Sequence, residues 1–468
     1  MGRGRKKRKE REMELKELVE RRREPLLKTL GESIRIPSVR EEDESGYPYG
    51  ANIQRVLEFM LETGKSLGLR VGSMDNQVGW CEFGEGEEMV AVLGHLDVVP
   101  AGEGWSGDAF SGEVRDGKVF GRGSMDDKGP TVAALYALGA LKESGLPLRR
   151  RVRLLMGTNE ETGSADMKYY LAHGGEKPVM GFTPDGEYPV INGEKGIVNV
   201  TFRRGLCQCG PVRLRKLAGG DASNVVPSSA SAELECTDEL AKQIAASLPE
   251  KVKCVPIPGG IRMEAQGVSA HGSTPEQGEN AIGRLLLALN ALPLEGELAG
   301  AVRFLAEKIG METDGSSLGL ALEDEMSGTL TFNLGVISGD ESGLTCRVNY
   351  RYPVTKSLAD CGSKFQAELE AAGFQVVEQT HKESLYVPPE SELVTTLMRV
   401  YQEETGLSDP PKSIGGGTYA KAMPNVVAFG PVFAGDEVRE HKPDEFIEVD
   451  RLMQNAQIIA RAMYELAK

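Results

Sequence analysis

Residues 89–97 read MVAVLGHLD, and this stretch decides the fold class. Its opening run, Met89 to Leu93, is entirely apolar, which is typical of a strand buried on both faces of a sheet. The strand runs directly into the loop Gly94–Asp97, which contains a histidine and a carboxylate. A buried strand that ends in such side chains predicts an α/β sheet with a reactive edge.

Three further candidate strands also end in loops that carry metal-type ligands. Because ligands of open α/β sheets gather beyond the carboxyl ends of the strands, the topology would bring these loops to one rim. A further acidic pair, Asp126-Asp127, lies just ahead of a helix predicted over Pro130–Leu141. The strands and their loops are Val152–Met156 before Glu160-Glu161, Val179–Phe182 before Asp185, and Val426–Phe429 before Glu440-His441, the last after a longer connection.

The pattern of polar and apolar residues changes in the middle of the chain. Thr329–Val336 and Leu344–Tyr352 alternate polar and apolar residues around a turn at 338–343, which predicts a hairpin in a half-solvated antiparallel sheet. The strand and helix pattern then returns, with helices predicted over Ser391–Glu404 and Leu452–Leu466. The sequence therefore predicts an α/β domain interrupted by an inserted domain.

We expect the α/β domain to contain a mixed sheet flanked by helices, and the insert to be an α+β domain with an antiparallel sheet. A strongly basic run opens the chain and is expected to be a disordered, solvated extension. The predicted boundaries are residues 1–12 for the extension, 13–194 and 385–468 for the α/β domain, and 195–384 for the insert.

Composition narrows the class of protein. The 468 residues exceed what one hydrophobic core usually organises, and the net charge of −16 disfavours a nucleic-acid partner. No apolar run approaches the roughly 20 residues that span a bilayer, and the basic N-terminus lacks the apolar core of a secretory signal. The seven scattered cysteines are most simply reduced thiols. These features predict a cytoplasmic protein that binds neither nucleic acid nor membrane.

The residue types on the predicted rim suit divalent metal ions. One or two imidazoles with three or four carboxylates can hold a pair of cations, with one carboxylate shared between them. His95 and Asp97 are spaced so that the carboxylate can accept the second imidazole N–H. Adjacent Glu160 and Glu161 suit a division between a ligand and a free general base. Each motif alone has a plainer interpretation as a turn, a helix cap or a solvated pair, but their repeated placement after buried strands favours a metal site.

Four segments resemble a known family. GHLDVVPAGEGW (94–105), GRGSMDDKGP (121–130), NEETGSADMKYY (159–170) and FTPDGEYPVINGEKG (182–196) are similar in type and order to the aminoacylase/carboxypeptidase group of co-catalytic metallopeptidases. The resemblance is strongest to the PepV-type bacterial dipeptidases of that group, and it extends from about residue 25 to the C-terminus. It implies that the α/β domain is a catalytic metal-binding domain and that the insert is its lid.

The resemblance also implies a role for each rim residue. Asp97 would orient His95, and Glu160 would take a proton from the attacking water and deliver it to the leaving amine. The family joins the residues that correspond to Asp126 and Asp127 by a cis peptide bond. Two divalent ions, zinc first and manganese or cobalt as alternatives, would be held by His95 and Asp185 at one ion, Glu161 and His441 at the other, and Asp126 between them.

The insert supplies a second set of residues by the same resemblance. The segment GVSAHGSTPEQGENAIGRL (267–285) is similar to the family's lid motif, in which His271 would stabilise the oxyanion. Asn224 and Arg351 would recognise the C-terminal carboxylate of the substrate, together with backbone N–H groups of Gly416 and Thr418. Interpreted without the resemblance, Arg351 would be a surface charge and Asn224 a turn residue. The glycine run before Thr418 would suggest a phosphate loop, but it lacks the Lys-Ser/Thr ending of such loops.

The function implied is a metal-dependent dipeptidase that hydrolyses unblocked dipeptides with a free C-terminal carboxylate. The long lid is similar to an arrangement in which one chain completes its own site, so a monomer is expected. One alternative is a related aminoacylase, desuccinylase or carboxypeptidase with the same metal core. Another is a non-catalytic protein that binds metal or peptide, against which the presence of Glu160 as a free base argues.

Overall fold

The computed structural model describes residues 13–468, and the basic extension predicted over residues 1–12 lies outside them. The described chain divides into two compact units. The first comprises the described residues up to Asn192 together with Val387–Lys412 and Gly417–Lys468, and the second comprises Gly193–Tyr386 and Ser413–Gly416. Within the described part, no helix has the length and apolar character needed to cross a membrane.

The helices begin and end at local sequence signals. The side chain of Ser391 accepts a hydrogen bond from Val394 N at the start of one helix, and Gly406 closes the same helix with a φ of 75°. After a helical segment at residues 13–20, the helices in chain order are α1 Arg23–Ile34, α2 Ala51–Ser66, α3 Lys128–Glu143, α4 Ala165–Ala172, α5 Asp238–Ser247, α6 Ala281–Asn290, α7 Gly296–Lys308, α8 Leu358–Ala371, α9 Glu392–Thr405 and α10 Val449–Ala467.

The strands fall into a mixed set and an antiparallel set. In chain order they are β1 Arg70–Met74, β2 Val78–Phe83, β3 Met89–His95, β4 Glu113–Arg115, β5 Lys118–Phe120, β6 Arg151–Gly157, β7 Met180–Thr183, β8 Gly186–Glu187, β9 Ile191–Glu194, β10 Gly196–Gly205, β11 Arg213–Gly219, β12 Ser229–Glu235, β13 Val252–Ile257, β14 Gly260–Gln266, β15 Glu323–Asp324, β16 Gly328–Thr329, β17 Thr331–Asp340, β18 Gly343–Tyr352, β19 Gln375–Lys382, β20 Leu385–Tyr386, β21 Lys412–Ile414, β22 Val426–Ala428, β23 Pro431–Val432 and β24 Phe446–Glu448.

The main sheet has nine strands, in the order β1-β2-β6-β3-β7-β22-β9-β20, and β21 also pairs with β9. The four central strands β6, β3, β7 and β22 are parallel to their neighbours in that group, whereas β1, β2 and β9 pair antiparallel. Every residue of β3 is buried, as its continuous apolar run predicts. Helix α3, which is buried along almost its whole length, packs against α10 and against β3.

A small second sheet of the first unit consists of β24, β5 and β4. Its strands pair antiparallel, with Phe446 opposite Phe120. The pairing joins β5, which precedes the Asp126 loop, to β24, which follows the His441 loop. It therefore fixes the distance between those loops.

The second unit is built on an eight-stranded sheet with the order β13-β14-β12-β11-β17-β18-β10-β19. All pairings in it are antiparallel. Alternate residues of β10, such as Val198, Val200 and Phe202, are buried, and they pack with the apolar faces of α6, α7 and α8 in one core. The predicted fold class, with a mixed sheet in one part and a separate antiparallel sheet in an inserted part, is confirmed.

The predicted hairpin is longer than its alternation indicated. Strand β17 extends to Asp340 and β18 begins at Gly343, so the turn predicted over 338–343 is only two residues long. The side chain of Asp340 accepts hydrogen bonds from Ser342 N at 2.7 Å and from Ser342 Oγ at 2.6 Å. The polar residues Ser338 to Asp340 look like turn residues but remain extended because this side-chain bond closes the tighter turn.

Candidate active site

The four parallel strands of the first unit bring metal-type side chains to one edge of the sheet. His95 is the last residue of β3, Asp185 follows β7, and Glu160-Glu161 follow β6. His441 lies on the connection after β22 and has a φ of 60°, an uncommon conformation for a residue with a side chain. Since β6, β3, β7 and β22 are neighbours, these loops are adjacent.

The carboxylate of Asp126 lies between two imidazoles. Asp126 Oδ1 is 3.0 Å from His95 Nε2, and Asp126 Oδ2 is 2.9 Å from His441 Nε2. Asp185 Oδ2 is 3.8 Å from His95 Nε2 and Glu161 Oε1 is 3.2 Å from His441 Nε2. Two groups of potential metal ligands therefore share Asp126, and the ligand atoms of each group lie within 4.8 Å of one another.

The peptide bond between Asp126 and Asp127 is cis. Asp127 Oδ2 accepts hydrogen bonds from His95 N at 3.0 Å and from Thr131 Oγ1 at 2.9 Å. A side chain at Gly94 would come within 2.0 Å of Thr131 Oγ1, so glycine is required where the end of β3 meets α3. The two adjacent carboxylates therefore differ in their contacts. Asp126 faces the imidazoles of His95 and His441, whereas Asp127 accepts hydrogen bonds from the His95 main chain and from Thr131.

His95 provides a test of whether the site fits a cation. Its side chain is completely buried, and Nε2 makes no hydrogen bond with any described residue although Asp126 and Asp185 are close to it. On the other side of the ring, Nδ1 lies 3.0 Å from the main-chain oxygen of Asp97 and 3.5 Å from its carboxylate. Burial lowers the pKa of His95, but contacts with Asp126 and Asp97 outweigh it and raise that pKa well above its ordinary value. Because an oxygen beside Nδ1 favours a proton on that nitrogen, a cation among the carboxylates would take the place of the Nε2 proton.

The electrostatics of the cluster point the same way. Burial, together with the charges of Asp126 and Asp127, raises the pKa of Asp185 well above its ordinary value. Burial also raises the pKa of Glu160 to about 8, against the opposing effect of His95 and with a further increase from the carboxylate charges beside it. Carboxylates that crowd in this way repel one another, and divalent cations among them would relieve the repulsion. The donor set fits divalent metal ions.

Asp97 holds the loop that carries the two glutamates. Its Oδ1 accepts a hydrogen bond from Glu160 N and its Oδ2 accepts one from Glu161 N, both at 3.1 Å. The predicted role of Asp97 in orienting His95 corresponds to a contact made chiefly by its main-chain oxygen. The carboxylate of Glu160 itself forms no hydrogen bond or ion pair with any residue that the structure describes, whereas Glu161 contacts His441.

In the second unit, Nδ1 of the His271 ring is held by Ser273. Ser273 N donates a hydrogen bond to His271 Nδ1 at 3.3 Å, and Ser273 Oγ lies 2.6 Å from the same nitrogen. Because a main-chain N–H can only donate, Nδ1 accepts and the neutral ring carries its proton on Nε2. The His271 loop is tied to that of Asn224, since Gly272 N donates to Asn224 O at 2.7 Å.

Arg351 is a buried cation of the second unit, with only 4% of its surface exposed. Its Nε donates to Asn349 Oδ1 at 3.1 Å and its Nη1 donates to Gly415 O at 2.5 Å. No carboxylate among residues 13–468 forms an ion pair with Arg351, and burial lowers its pKa to about 10. A buried guanidinium with neutral partners is suited to receive an anion from outside the protein.

The remaining predicted residues lie on the glycine-rich segment. Gly415 and Gly416 belong to the second unit and Thr418 to the first. Gly415 approaches the loop of Ser273 so closely that a side chain there would come within 2.7 Å of Ser273 Cβ. Thr418 Oγ1 accepts a hydrogen bond from Ala420 N at 3.1 Å, which begins a short helical turn.

Sequence reasoning missed a set of buried side chains that hold these loops. Asp166 accepts hydrogen bonds from Thr158 N at 2.6 Å and Asn159 N at 2.9 Å, and it also accepts one from the hydroxyl of Tyr419. Tyr419 in turn packs edge-to-face on the ring of His95. The available signal was their position: Asp166 stands inside the motif segment 159–170, and Tyr419 directly follows the glycine-rich segment and Thr418. Arg122 and Glu445 are two further buried polar residues of this kind.

Fold and site together define a class: an α/β unit with a cluster of histidines and carboxylates that could hold cations, interrupted by an antiparallel unit. A sequence profile described as peptidase family M20/M25/M40 matches residues 91–465. The chain belongs to this peptidase family, which confirms the family resemblance read from its motifs.

Relatives cover nearly the whole chain. YtjP of Bacillus subtilis (strain 168), provisionally named a dipeptidase, is 36% identical over 462 residues, which are 96% of this chain and 99% of that protein. Beta-Ala-Xaa dipeptidase of Lactobacillus delbrueckii subsp. lactis is 33% identical over 478 residues, 98% of this chain and 99% of that protein. The crystal structure of human carnosine dipeptidase 1 matches with a TM-score of 0.59 and 16% identity over 97% of this chain and 98% of that one, a likeness of fold.

Proposed function

We propose that the protein is a metal-dependent dipeptidase that hydrolyses unblocked dipeptides. The single observation that carries the proposal is the Asp126 carboxylate, whose two oxygens face His95 and His441 at 3.0 and 2.9 Å. A carboxylate in that position suits two cations side by side. The names of the relatives support dipeptides as the substrate class.

In this proposal, His95 and Asp185 would hold one cation and Glu161 and His441 the other, while Asp126, which belongs to both groups, would be shared. When bound, the two ions would supply Lewis-acid activation of a water molecule and of the scissile carbonyl. Zinc is the first candidate, with manganese and cobalt as alternatives, because carboxylate-rich sites with one imidazole per ion accept all three.

Glu160 acts as the general base. It accepts a proton from the attacking water and then donates that proton to the leaving amine, so it ends the cycle in its starting form. The carboxylate of Glu160 forms no hydrogen bond or ion pair within the described chain, which suits a group that must both accept and release a proton. Asp97 positions this base by accepting the Glu160 and Glu161 main-chain N–H groups.

A second set of residues binds the substrate. Arg351 pairs with the C-terminal carboxylate of the dipeptide, assisted by Asn224 and by main-chain N–H groups of Gly416 and Thr418. His271 donates from Nε2 to the oxygen that becomes negative during attack, a role that the Ser273 contact on Nδ1 supports. Residues 195–384 then act as the lid of a catalytic domain at 13–194 and 385–468, and a single chain suffices. A small peptide is the proposed partner and the cytoplasm the proposed compartment.

The test uses purified protein treated exhaustively with a chelator and then supplied with zinc, manganese or cobalt. Each sample is assayed against dipeptides, the same dipeptides amidated at the C-terminus, tripeptides and N-acylated amino acids. We expect hydrolysis of free dipeptides only after a metal is returned. Preferential cleavage of N-acylated amino acids would instead identify an aminoacylase or desuccinylase, and binding of dipeptides without any turnover would contradict an enzymatic function.

A further inference from the structure

Arg122 and Glu445 form an ion pair that is buried more deeply than most charges in proteins. Arg122 Nη1 lies 2.6 Å from Glu445 Oε2, and the two side chains are 1% and 0% exposed. The pair exists because β5 ends just before Arg122 and β24 begins just after Glu445, and these strands pair with each other. Gly121 N also donates to Glu445 O at 2.9 Å.

Glu445 binds the main chain of the loop that leads to Asp126. Its Oε1 accepts three main-chain hydrogen bonds, from Gly123 N at 3.0 Å, Met125 N at 2.9 Å and Asp126 N at 3.3 Å. Converging main-chain N–H groups form a concave site for an anion, and here the anion is a side chain of the protein. The position of the Asp126 backbone is therefore set by Glu445.

Arg122 extends the same connection to two further loops. Its guanidinium donates to Lys442 O at 3.3 Å, one residue after His441. It also donates to Pro100 O at 3.4 Å and to Ala101 O at 3.2 Å, on the segment that follows His95 and Asp97. One buried pair thus contacts the three loops that carry His95, Asp126 and His441.

The energetics argue that this pair does more than stabilise the fold. A fully buried ion pair usually contributes little net stability, because removing both charges from water costs about as much as their attraction returns. Groups that hold and orient metal ligands, by contrast, affect metal affinity strongly. Because desolvation of the two charges offsets most of their attraction, a pair that contacts three ligand loops is better explained by preorganisation of the ligands than by a gain in folding stability.

We infer that Glu445 and Arg122 are positioning residues that hold His95, Asp126 and His441 in place before a cation binds. The inference rests on the proposed metal-dependent function and adds to it two residues that contact the ligand loops through main-chain groups and are not proposed ligands themselves. Its consequence is that disrupting this pair should weaken metal binding, whereas disrupting an equally buried pair away from these loops should not.

The test compares Glu445→Gln with Glu465→Gln, a matched control. Glu465 is also a buried carboxylate, paired with Arg461 and Arg399, but it lies about 24 Å along α10 from the start of that helix. For each full-length protein we would measure the dissociation constant for Zn²⁺ by competition with a fluorescent chelator. The thermal midpoint of the chelator-treated protein serves as the measure of stability.

We expect Glu445→Gln to weaken Zn²⁺ binding by roughly 10- to 100-fold, and Glu465→Gln to change it by less than about twofold at a similar or greater loss of thermal stability. Unchanged Zn²⁺ affinity in Glu445→Gln would overturn the inference, as would an equal loss in both variants. If Glu445→Gln does not fold, Arg122→Lys replaces it, since lysine keeps the charge but not the fork that reaches several carbonyls. Unchanged Zn²⁺ affinity in Arg122→Lys would then overturn the inference. Failure of the wild-type protein to bind Zn²⁺, Mn²⁺ or Co²⁺ would defeat the proposed function and this inference with it.

Discussion

At the scale of single residues, Glu160 and Glu161 are adjacent in sequence but differ in their surroundings. Glu161 Oε1 lies 3.2 Å from His441 Nε2, whereas the carboxylate of Glu160 has no such partner among the described residues. Their main-chain N–H groups are both held by Asp97, so the loop is fixed and the side chains are free to differ in role. This difference is the physical basis for separating a ligand from a base.

Glu160→Gln should abolish most turnover while leaving metal content unchanged, because the amide keeps the shape of the side chain but cannot accept the proton. A general base contributes on the order of 10²–10⁴ in rate, and we expect a loss in that range. Glu161→Gln should lose metal. Metal content per chain and turnover number measured on the same samples check both statements, and the reverse pattern would show that the assignments are exchanged.

Arg351→Ala should raise the Michaelis constant for free dipeptides with a smaller effect on the turnover number. Loss of a charged hydrogen bond typically costs about 1.5–3 kcal/mol, which corresponds to roughly a 10- to 150-fold increase. Substrates amidated at the C-terminus should show little additional penalty in the variant. An equal rise in the Michaelis constant for free and amidated dipeptides would contradict the assignment of Arg351 to the carboxylate.

The candidate ligands could be predicted from sequence because histidines and carboxylates directly after apolar strands are conspicuous. Glu445 and Arg122 could not, since neither follows a strand of the main sheet and each finds its partner across more than three hundred residues. Asp166 and Tyr419, which form a hydrogen bond with each other, are also distant in sequence, at 253 positions apart. Contacts of this kind depend on tertiary packing, which leaves no local pattern.

At the scale of secondary structure, the continuous apolar runs predicted the parallel strands well because a doubly covered strand needs such residues at every position. The prediction was wrong in the turn after β17, where residues 338–340 remain extended and a hydrogen bond from Ser342 to the side chain of Asp340 closes a shorter turn. Polar composition alone does not distinguish a turn from a strand end that reaches solvent.

The packing of α9 against α10 provides a prediction on acid stability. Burial raises the pKa of Glu465, but hydrogen bonds from Lys468 and Arg399 and the charge of Arg461 outweigh it and lower the pKa to about 2 from 4.5. A lowered carboxylate pKa stabilises the folded state above pH 4.5 and ceases to do so as the pH falls towards 2, a contribution of at most about 3 kcal/mol. The difference in thermal midpoint between wild type and Glu465→Gln, both in chelator, should shrink between pH 6 and pH 3. A difference that is constant over this range would contradict the assignment.

At the scale of the whole molecule, the chain contains two compact units with separate sheets, and the proposed roles divide between them. The proposed metal ligands and Glu160 belong to the first unit, and His271, Asn224 and Arg351 belong to the second. The change in sequence texture predicted such an insertion, because a sheet buried on both faces and a half-solvated sheet have different apolar periods. The number of chains that complete one site does not follow from periodicity.

A complementation experiment tests whether one chain suffices. His271→Ala should lower the turnover number by roughly 10²–10³ without loss of metal, since one preorganised donor to an oxyanion contributes about that much. Mixing this variant with Glu160→Gln should restore no activity, because each chain would supply both residues to its own site. Activity in the mixture well above the sum of the two variants would show a site shared between chains and contradict the proposed monomer.

The central claim is that two cations, both in contact with Asp126, make this chain a dipeptidase. Its most direct test is a titration of verified metal-free protein with Zn²⁺, Mn²⁺ or Co²⁺, in which bound metal and dipeptide hydrolysis are measured together for wild type and Asp126→Asn. The wild type should be inactive without metal and reach full activity near two bound ions per chain, while Asp126→Asn should bind metal weakly and hydrolyse nothing. Full activity in the metal-free wild type, or two tightly bound ions in Asp126→Asn, would contradict the claim.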